Sequence, residues 1–383
     1  MVSFVDSIFP IPNVNIKQHS DRYGTPLFIY SKERIKSNVD EINAALGIFQ
    51  DFTVYYAMKA NRHIPVLKYF CALGVGVDCC SPFEVELALK CGFTTDKISV
   101  TACFLSLKDL KYFVNKQVYI NLDGLSQIKN YLKIGSKRNV GIRIDTATNA
   151  RDWDMSVYSN SKFGIHYSEL NDALNLLHGN GIKVDKLHCH VGWNMSRVKG
   201  IDDFEDALQV IVECAKLCPD LISIDVGGGL GVKFIKTQSP SMSPFQWSSL
   251  LQKYLIPLNV HVSCELGTKL MANAGILVTE CTAIQRKQNI NWLGINCGFN
   301  LVNFAAFYNV KQDIINIESD RDDQTEIYHI GGNLNEGIDV YHKGYELSTT
   351  QEGDMLVILN SGAYCASVSS NHCGRGLFKE ILL

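Results

Sequence analysis

The chain is short of the features that mark nucleic-acid-binding, membrane and disulfide-linked proteins. Its 36 lysines and arginines are nearly balanced by 39 aspartates and glutamates, and they form no basic run, so nucleic acid is not expected as a partner. No apolar stretch approaches the ~18 residues that a membrane span requires, so no membrane partner is expected either. No two cysteines stand in a C-x-x-C spacing.

The 13 cysteines are an odd number in a long chain, and many of them, such as Cys71, Cys189 and Cys264, lie in apolar segments. This usage indicates reduced thiols in a protein core and not a disulfide framework. The first residues, from Met1 to Asp6, lack the basic and apolar regions of a signal peptide. We therefore expect a cytoplasmic protein.

Short apolar segments alternate with segments of helical periodicity over most of the chain, which at 383 residues and 46% hydrophobic is long enough for two domains. Helices are predicted at residues 32–49, 82–91, 203–218 and 244–255. Eight strands are predicted at residues 53–58, 75–79, 98–101, 117–122, 140–145, 184–191, 221–226 and 260–264. Alternation of this kind predicts an α/β fold, a (β/α)8 TIM-like barrel, with a doubly wound open sheet as the alternative.

After residue 275 the pattern changes to strands that are separated by turn residues. Further strands are predicted at residues 276–280, 291–296, 326–331 and 355–360. The strand-like segment 24–30 precedes the barrel and is expected to join them. We predict that residues 31–275 form the barrel, and that residues 1–30 and 276–383 form a β-rich domain that completes the active site.

Reactive or anion-binding residues recur where the predicted barrel strands end. In a parallel barrel the active site is built at the carboxyl ends of the strands. Six of the eight predicted strands end in such a group, namely Lys59, Asp78, Arg143, His190, the Gly227-Gly228-Gly229 run and Glu265. We expect these residues to meet in one site.

Two of these groups, when considered alone, also have a purely structural explanation. Lys59 closes an apolar strand, where desolvation would lower the pKa of its amine and make it a nucleophile toward an aldehyde; alternatively the side chain extends to water. The three glycines allow backbone N–H groups to approach an anion such as phosphate, but a glycine run alone is also a flexible turn. Its spacing is not that of a dinucleotide-binding motif or a P-loop.

His188 and His190 lie on one face of a strand because side chains alternate along it. With Glu265 they are candidates for a metal site. The alternatives are a packed histidine pair and an imidazole that stacks on a flat cofactor. Glu265 is correspondingly a metal ligand, a base, or the partner of a protonated ring nitrogen.

One cofactor accounts for all of these groups together. Pyridoxal 5'-phosphate requires a lysine for its aldehyde, hydrogen-bond donors for its phosphate and an acidic partner for its pyridinium nitrogen. Lys59, the glycine run and Glu265 supply these three, and His190 supplies a ring for stacking. No metal is then required.

At these residues the chain resembles the fold-type III, alanine-racemase-like decarboxylases, which include diaminopimelate and ornithine decarboxylases. The resemblance runs from about residue 24 to residue 383. Its motifs, in the family's order, are YAMKAN (56–61), VDCCSPFE (77–84), SKFGI (161–165), HCHVG (188–192), DVGGG (225–229) and GAY (362–364). The resemblance implies a pyridoxal-phosphate-dependent decarboxylase, a carboxy-lyase, with a barrel and a C-terminal β domain.

The resemblance also implies roles for single residues. Lys59 is expected to bind the cofactor covalently, His190 to stack on its ring and Glu265 to hold the pyridinium nitrogen. The remaining cofactor-binding residues implied are Gly227, Gly228, Gly229 and Tyr364 for the phosphate, with Asp78 and Arg143 supporting the cofactor and Lys59.

Members of this family form homodimers with shared active sites. The resemblance therefore implies that residues 332–339 enter the partner's site. There Glu336 is expected to contact the substrate, and Asn335 stands where the family has a cysteine that helps to control protonation. Asn335 and Glu336 complete the expected catalytic set, with Lys59, His190 and Glu265.

Three positions depart from the pattern of the diaminopimelate decarboxylases. Thr268 and the segment from Phe304 to Tyr308 replace motifs whose two arginines grip the substrate's distal carboxylate, each contact being worth roughly 1.5–3 kcal/mol. Trp193 replaces a serine that contacts phosphate. These changes, and a tail at 353–364 similar to decarboxylases of natural-product pathways, predict a modified or conjugated substrate in antibiotic or microcin-like biosynthesis.

Several alternatives remain at the sequence level. A free amino acid such as diaminopimelate, ornithine or lysine is the alternative substrate. A racemase, a metal hydrolase that uses His188, His190 and Glu265, and a non-catalytic cofactor-binding homologue are the alternative functions. Since the chain ends within the strand-like segment 379–383, a fused C-terminal domain in a longer protein is also expected.

Overall fold

Eight parallel strands close into a barrel in the computed structural model, which describes residues 13–148, 161–195, 199–318 and 324–383. The barrel strands are Phe52–Ala57, Gly76–Cys79, Ile98–Thr101, Tyr119–Leu122, Val140–Asp145, Val184–His188, Ser223–Asp225 and His261–Leu266. The last strand pairs with the first, with Ser263 opposite Thr53, and this pairing closes the ring. The predicted (β/α)8 barrel is confirmed and the open sheet is wrong.

The strands form where β-branched, aromatic and other apolar residues cluster, and nearly all of their residues are buried. Each predicted barrel strand is present, with its ends displaced by three residues at most. The largest displacement concerns the strand that ends at His188, so His190 lies in the following loop and not in a strand. A two-residue strand, Ile165–His166, pairs with the end of Val140–Asp145.

Helices follow the barrel strands and pack outside them. The described α-helices are Asn13–Tyr23, Lys32–Leu46, Ile64–Ala72, Pro82–Lys90, Leu107–Lys116, Leu125–Ile134, Leu170–His178, Lys199–Ala215, Pro244–Leu255, Thr268–Met271 and Phe304–Tyr308. The start of Pro82–Lys90 shows why these segments are helical: the Ser81 hydroxyl accepts a hydrogen bond from the Glu84 amide, and proline occupies the first turn. None of the described helices combines the length and apolarity of a membrane span.

A second sheet of eight strands lies outside the barrel. Its strands are Leu27–Tyr30, Gly275–Lys287, Ile290–Ile295, Ile314–Asn316, Thr325–Gly331, Val340–Ser348, Met355–Ile358 and Lys379–Leu382. The 13-residue strand Gly275–Lys287 pairs with Leu27–Tyr30 along its first residues and with Ile290–Ile295 along its last residues. The expectation that the segment before the barrel joins the C-terminal strands is therefore confirmed.

Three features of this region were not predicted. The strands Ile314–Asn316 and Val340–Ser348 were missed, the first because it is short and the second because Lys343 and Gly344 interrupt its apolar pattern. Asn13–Tyr23 is a helix within a region predicted to be β-rich. Residues 1–12 of that region lie outside the described part of the chain. The proposed limits 31–275 and 276–383 stay a prediction, because strand pairing does not decide which segments fold as one unit.

Candidate active site

The carboxyl ends of the barrel strands surround a cavity of about 550 Å³. Of the residues predicted from the strand ends and the glycine run, those that line it are Lys59, Arg143, His190, Gly228, Gly229 and Glu265, and Tyr364 joins them from the second sheet's side. Asp78 and Gly227 are buried but do not line the cavity, although Cys80 and Gly228, close to them in the sequence, do. The sequence therefore predicted most of one spatial cluster.

Lys59 lies in a single turn of 3₁₀-helix, Met58–Ala60, directly after the first barrel strand. Its side chain is exposed and lines the cavity. The turn is fixed by a distant segment of the chain, because the Tyr364 amide donates to the Ala60 carbonyl at 2.8 Å and the Ser367 hydroxyl donates to the same oxygen at 2.9 Å. The nucleophile candidate is thus held at the junction of the two sheets.

The pKa of the Lys59 amine is raised, so the expectation that desolvation lowers it is wrong. The Cys80 sulfur is the largest cause of the rise; burial opposes it, and Asp78 adds to it. Burial in turn raises the pKa of the Cys80 thiol to about 12, so this thiol is neutral at neutral pH. The carboxylates around Lys59 are then the anions that favour its ammonium form.

Asp78 is a buried carboxyl group next to this lysine in the barrel. It is 1% exposed, and within the described residues neither of its oxygens has a hydrogen-bond partner. Burial raises its pKa well above the usual range, the Glu265 charge raises it further, and the Lys59 ammonium opposes the shift. Asp78 therefore costs stability whenever it is ionised.

We expect the Asp78→Asn variant to be more stable than the wild-type protein at neutral pH. Because the folded-state pKa of Asp78 lies above its unfolded value, folding binds a proton, and this carboxyl lowers stability as pH rises above about 3.8. The difference in melting temperature between the variant and the wild type should grow from pH 4 to pH 8. A difference that is constant or shrinks over this range would contradict the assignment.

Glu265 ends the last barrel strand and has hydrogen-bond partners at both oxygens. Oε2 pairs with His188 Nε2 at 2.9 Å, and Oε1 accepts from the Thr101 hydroxyl at 3.0 Å. Burial raises the pKa of Glu265, but His188, through charge and hydrogen bond, and then Lys59 and Arg143 lower it by more, so the net shift is downward. The carboxylate is therefore ionised at neutral pH.

Sequence reasoning missed part of this network. Thr101 is itself the last residue of a barrel strand, so the rule that pointed to Lys59 and Glu265 applies to it as well. Asn121, in the next strand, donates to the Thr101 hydroxyl at 2.8 Å. His188 was considered only as a metal ligand or a packed residue, whereas it is the closest partner of Glu265.

His190 presents an uncharged ring to the cavity. Burial lowers its pKa well below the usual range, and Arg143 and Lys59 lower it further. Its Nδ1 accepts a hydrogen bond from the Gly228 amide at 3.1 Å, so the ring carries its proton on Nε2. A neutral flat ring in this position suits stacking against a planar ligand.

The three glycines differ in what their amides do. Gly227 donates to Asp225 Oδ1 at 2.9 Å and Gly228 donates to His190, while the Gly229 amide has no acceptor in the described part of the chain. Gly229 adopts a φ of +114°, and a Cβ there would lie 2.6 Å from the Met195 methyl group. Of the predicted anion site, Gly229 is therefore the amide best placed to receive a ligand, and Gly227 shapes the loop.

Arg143 and Tyr364 both line this cavity. Arg143 pairs with buried Asp123 at 3.3 Å, and its guanidinium lies 4.5 Å from the centre of the Phe163 ring. Tyr364 has a φ of +56°, a conformation that is rare for a bulky residue and that is found where a site over-determines the backbone. Its main-chain bond to Ala60 ties its backbone to the turn that carries Lys59.

Asn335 and Glu336 do not line the cavity of their own chain. Both are exposed, and Glu336 Oε1 pairs with His372 Nε2 at 2.8 Å. Any catalytic role for these two residues requires a second chain. Their expected entry into a partner's site stays a prediction.

The predicted metal set of His188, His190 and Glu265 is not brought together. Among the described residues the group with suitable spacing is His188, Asp225 and Glu265. In this group the Asp225 oxygens already accept from Gly227 and from the Ser263 hydroxyl at 2.7 Å, and His188 bonds Glu265. These groups satisfy each other, which favours the cofactor interpretation over the metal hydrolase.

Comparison with known proteins identifies the family to which the barrel residues are similar. Residues 32–272 match the family model described as the pyridoxal-binding domain of pyridoxal-dependent decarboxylases. The diaminopimelate decarboxylase of Aquifex aeolicus is 27% identical over 387 residues, covering 97% of this chain and 90% of the relative. That of Methanothermobacter thermautotrophicus is 27% identical over 404 residues, with 98% and 93% covered.

Solved structures share the fold over almost the whole chain. Diaminopimelate decarboxylase from Helicobacter pylori, complexed with L-lysine, superimposes with a TM-score of 0.87 at 22% identity, covering 96% of this chain and 94% of that one. Lysine/ornithine decarboxylase from Vibrio vulnificus, complexed with putrescine, gives 0.85 at 19% identity, with 97% and 98% covered. At these identities the likeness supports the fold alone.

Proposed function

Because the chain belongs to the pyridoxal-dependent decarboxylases, a family of carboxy-lyases whose cofactor is pyridoxal phosphate, we propose that it removes the α-carboxylate of an amino acid through a cofactor bound to Lys59. The observation that carries the assignment to this cavity is its donor set. A lysine, an ionised buried carboxylate and a neutral imidazole face one space of about 550 Å³.

The residues present fit the cofactor. Lys59 is the amine for the aldehyde, Glu265 is the anion for the pyridinium nitrogen, and the neutral His190 ring is the stacking surface. The Gly229 amide, which has no acceptor in the described chain, and Tyr364 are the groups for the phosphate. Bound pyridoxal phosphate supplies a conjugated ring that takes up the electron pair released when carbon dioxide leaves.

The chain's own groups then hold charge and direct protons. Glu265 stays ionised because His188 and Thr101 bond its two oxygens, so it favours a proton on any ring nitrogen next to it. His190 stays neutral and adds no charge that would oppose this. The raised pKa of Lys59 favours its ammonium form, which makes Lys59 the proposed carrier of the proton for the reacting carbon.

A free amino acid is the proposed substrate. The relatives over nearly the full length are named diaminopimelate decarboxylases, which supports a free substrate over the modified one that the sequence predicted. The antibiotic or microcin-like role gains no support from these relatives. A conjugated amino acid is the second candidate, and the observation that favours it is that Thr268 and Phe304 line the cavity where arginines were expected.

Assembly and location are further proposals. The exposure of Asn335 and Glu336 supports a homodimer in which they complete a neighbouring site. None of the 13 cysteines forms a disulfide, and nine of them are buried, which supports a reducing, cytoplasmic location. A fused C-terminal domain stays a prediction.

The test is cofactor binding combined with carbon dioxide release. Protein purified with pyridoxal phosphate should absorb near the edge of the visible range, and it should release carbon dioxide from at least one free L-amino acid or diaminopimelate. A protein that stays colourless after reconstitution would contradict the proposal. Bound cofactor with no carbon dioxide from free or conjugated amino acids would favour the non-catalytic homologue.

A further inference from the structure

We propose that one wall of the cavity, the aromatic wall formed by Trp193, Phe304 and Tyr308, binds the part of the substrate beyond its α-carbon and selects a flat, uncharged group. The substrate class is then an amino acid with an aromatic or heterocyclic side chain. This inference rests on the proposed function, because it assigns the remaining space of the same cavity.

Trp193 connects the two positions at which arginines were expected. Its indole Nε1 donates to the Thr268 hydroxyl at 2.6 Å, and its ring stacks on Phe304 with centroids 5.6 Å apart and planes inclined by 13°. Thr268 is 3% exposed and follows Glu265 by three residues. The indole is therefore fixed by a hydrogen bond at one edge and by a ring at one face, close to the proposed pyridinium partner.

The wall is supported from behind and extended toward the cavity mouth. Phe234 is fully buried and packs against both Trp193 and Phe304, with centroid distances of 5.4 and 5.2 Å. Tyr308, 6.4 Å from Phe304, is 42% exposed. Because the inner rings are held on several sides, the wall is preformed, and binding a ring against it costs little side-chain entropy.

Few of the residues that line the cavity carry a charge. Among the described lining residues the cations are Lys59 and Arg143, and Arg143 is paired with Asp123. Thr268, Asn303, Leu230 and Val368 also line the cavity, and none of them carries a charge. A distal carboxylate or ammonium on the wall would lose water without gaining an ion pair from these residues.

An aromatic group gains binding free energy on this wall, whereas a charged group loses it by desolvation. Ring pairs contribute about 0.5–1.5 kcal/mol beyond burial, which alone is up to about tenfold in affinity. We therefore expect the specificity ratio to favour aromatic substrates over diaminopimelate, lysine and ornithine by about tenfold or more.

The experiment combines turnover with an equilibrium measurement. The cofactor-loaded protein is assayed for carbon dioxide release from L-phenylalanine, L-tyrosine and L-tryptophan, and from meso-diaminopimelate, L-lysine and L-ornithine. Binding of the product amines phenethylamine, tyramine and tryptamine is measured by calorimetry against cadaverine and putrescine. Aromatic substrates and aromatic amines should rank first by about tenfold.

Two variants localise the effect. Phe304→Leu keeps an apolar side chain but removes the stacked ring, so it should weaken binding of the aromatic amines and leave that of cadaverine unchanged. Phe245→Leu is the matched control, since Phe245 is 57% exposed on the helix Pro244–Leu255 away from the lining residues. Equal losses in both variants would overturn the assignment of the wall.

The outcomes separate this inference from the proposed function. Carbon dioxide from diaminopimelate or from lysine and ornithine, with diamines bound more tightly than aromatic amines, would overturn the wall's role and leave the decarboxylase intact. Failure to bind pyridoxal phosphate would overturn the proposed function. Aromatic amine binding that is lost only in Phe304→Leu supports the wall whichever substrate is turned over.

Discussion

The Lys59→Ala variant should lose carbon dioxide release by at least roughly 10³-fold and should lose the visible absorbance of the bound cofactor. The expected size follows from two lost functions. In the proposed function the amine is the covalent attachment point and the proton donor at the reacting carbon, and the second contribution alone is worth roughly 10²–10⁴-fold.

The measurement is borohydride reduction followed by peptide mapping. In the wild-type protein, reduction should trap the cofactor on the peptide that contains Lys59, and the variant should give no trapped peptide. Lys68→Ala is the matched control, since Lys68 is exposed on the helix Ile64–Ala72, one element further along the chain. Turnover that survives in Lys59→Ala would remove Lys59 from the mechanism.

The Glu265→Gln variant should retain the fold and bind the cofactor but release carbon dioxide roughly 10²–10³-fold more slowly. Glutamine keeps the size of the side chain and can still bond Thr101 and His188, but it carries no charge for the ring nitrogen. Removing one preorganised electrostatic partner from a buried site typically has an effect of this size.

The pH dependence of stability gives this variant a second signature. Because the folded-state pKa of Glu265 lies below its unfolded value, its ionised form stabilises the protein above about pH 4.5, and that contribution is lost as pH falls further. The stability difference between wild type and Glu265→Gln should shrink on acidification. The pKa of Asp78 is shifted upward instead, so for Asp78→Asn the variant is expected to be the more stable protein.

Glu86→Gln is the control for both measurements. Glu86 pairs with Tyr112 and Lys116 on the surface, where an ion pair contributes little. Its turnover and its acid stability should match those of the wild-type protein. A loss of turnover in Glu265→Gln that is matched by an equal loss of cofactor binding would indicate a structural role instead.

The sequence predicted the elements and the strand-end residues well because both follow from local rules. Apolar periodicity identified all eight barrel strands, and the geometry of a parallel barrel placed Lys59, Arg143 and Glu265 around one space. The strand-end rule also covers Thr101, but local rules do not say which distant side chains bond one another. Thr101 and Asn121 are 164 and 144 positions away from Glu265 in the sequence, and only the closed ring brings them together.

Two further differences have the same origin. Desolvation was expected to lower the pKa of the Lys59 amine, but the neighbours Cys80 and Asp78 outweigh burial. In the sequence Trp193 is only the replacement of a serine that contacts phosphate, and its proposed role depends on Thr268 and Phe304, which follow it by 75 and 111 positions. Specificity of this kind is a property of the assembled wall.

Hydrogen bonds join the turn that carries Lys59 to residues 362–367, so the position of Lys59 depends on how this later segment packs against the barrel. Besides Tyr364 and Ser367, which bond Ala60, Asn61 donates to the Gly362 carbonyl at 2.9 Å. The turn that carries Lys59 is therefore bonded both as acceptor and as donor to residues 362–367. If residues 362–367 detached from the barrel, we expect Lys59 to lose its position and the proposed activity to be lost, even though the barrel strands stayed paired. The residues after the barrel are therefore expected to be required for activity.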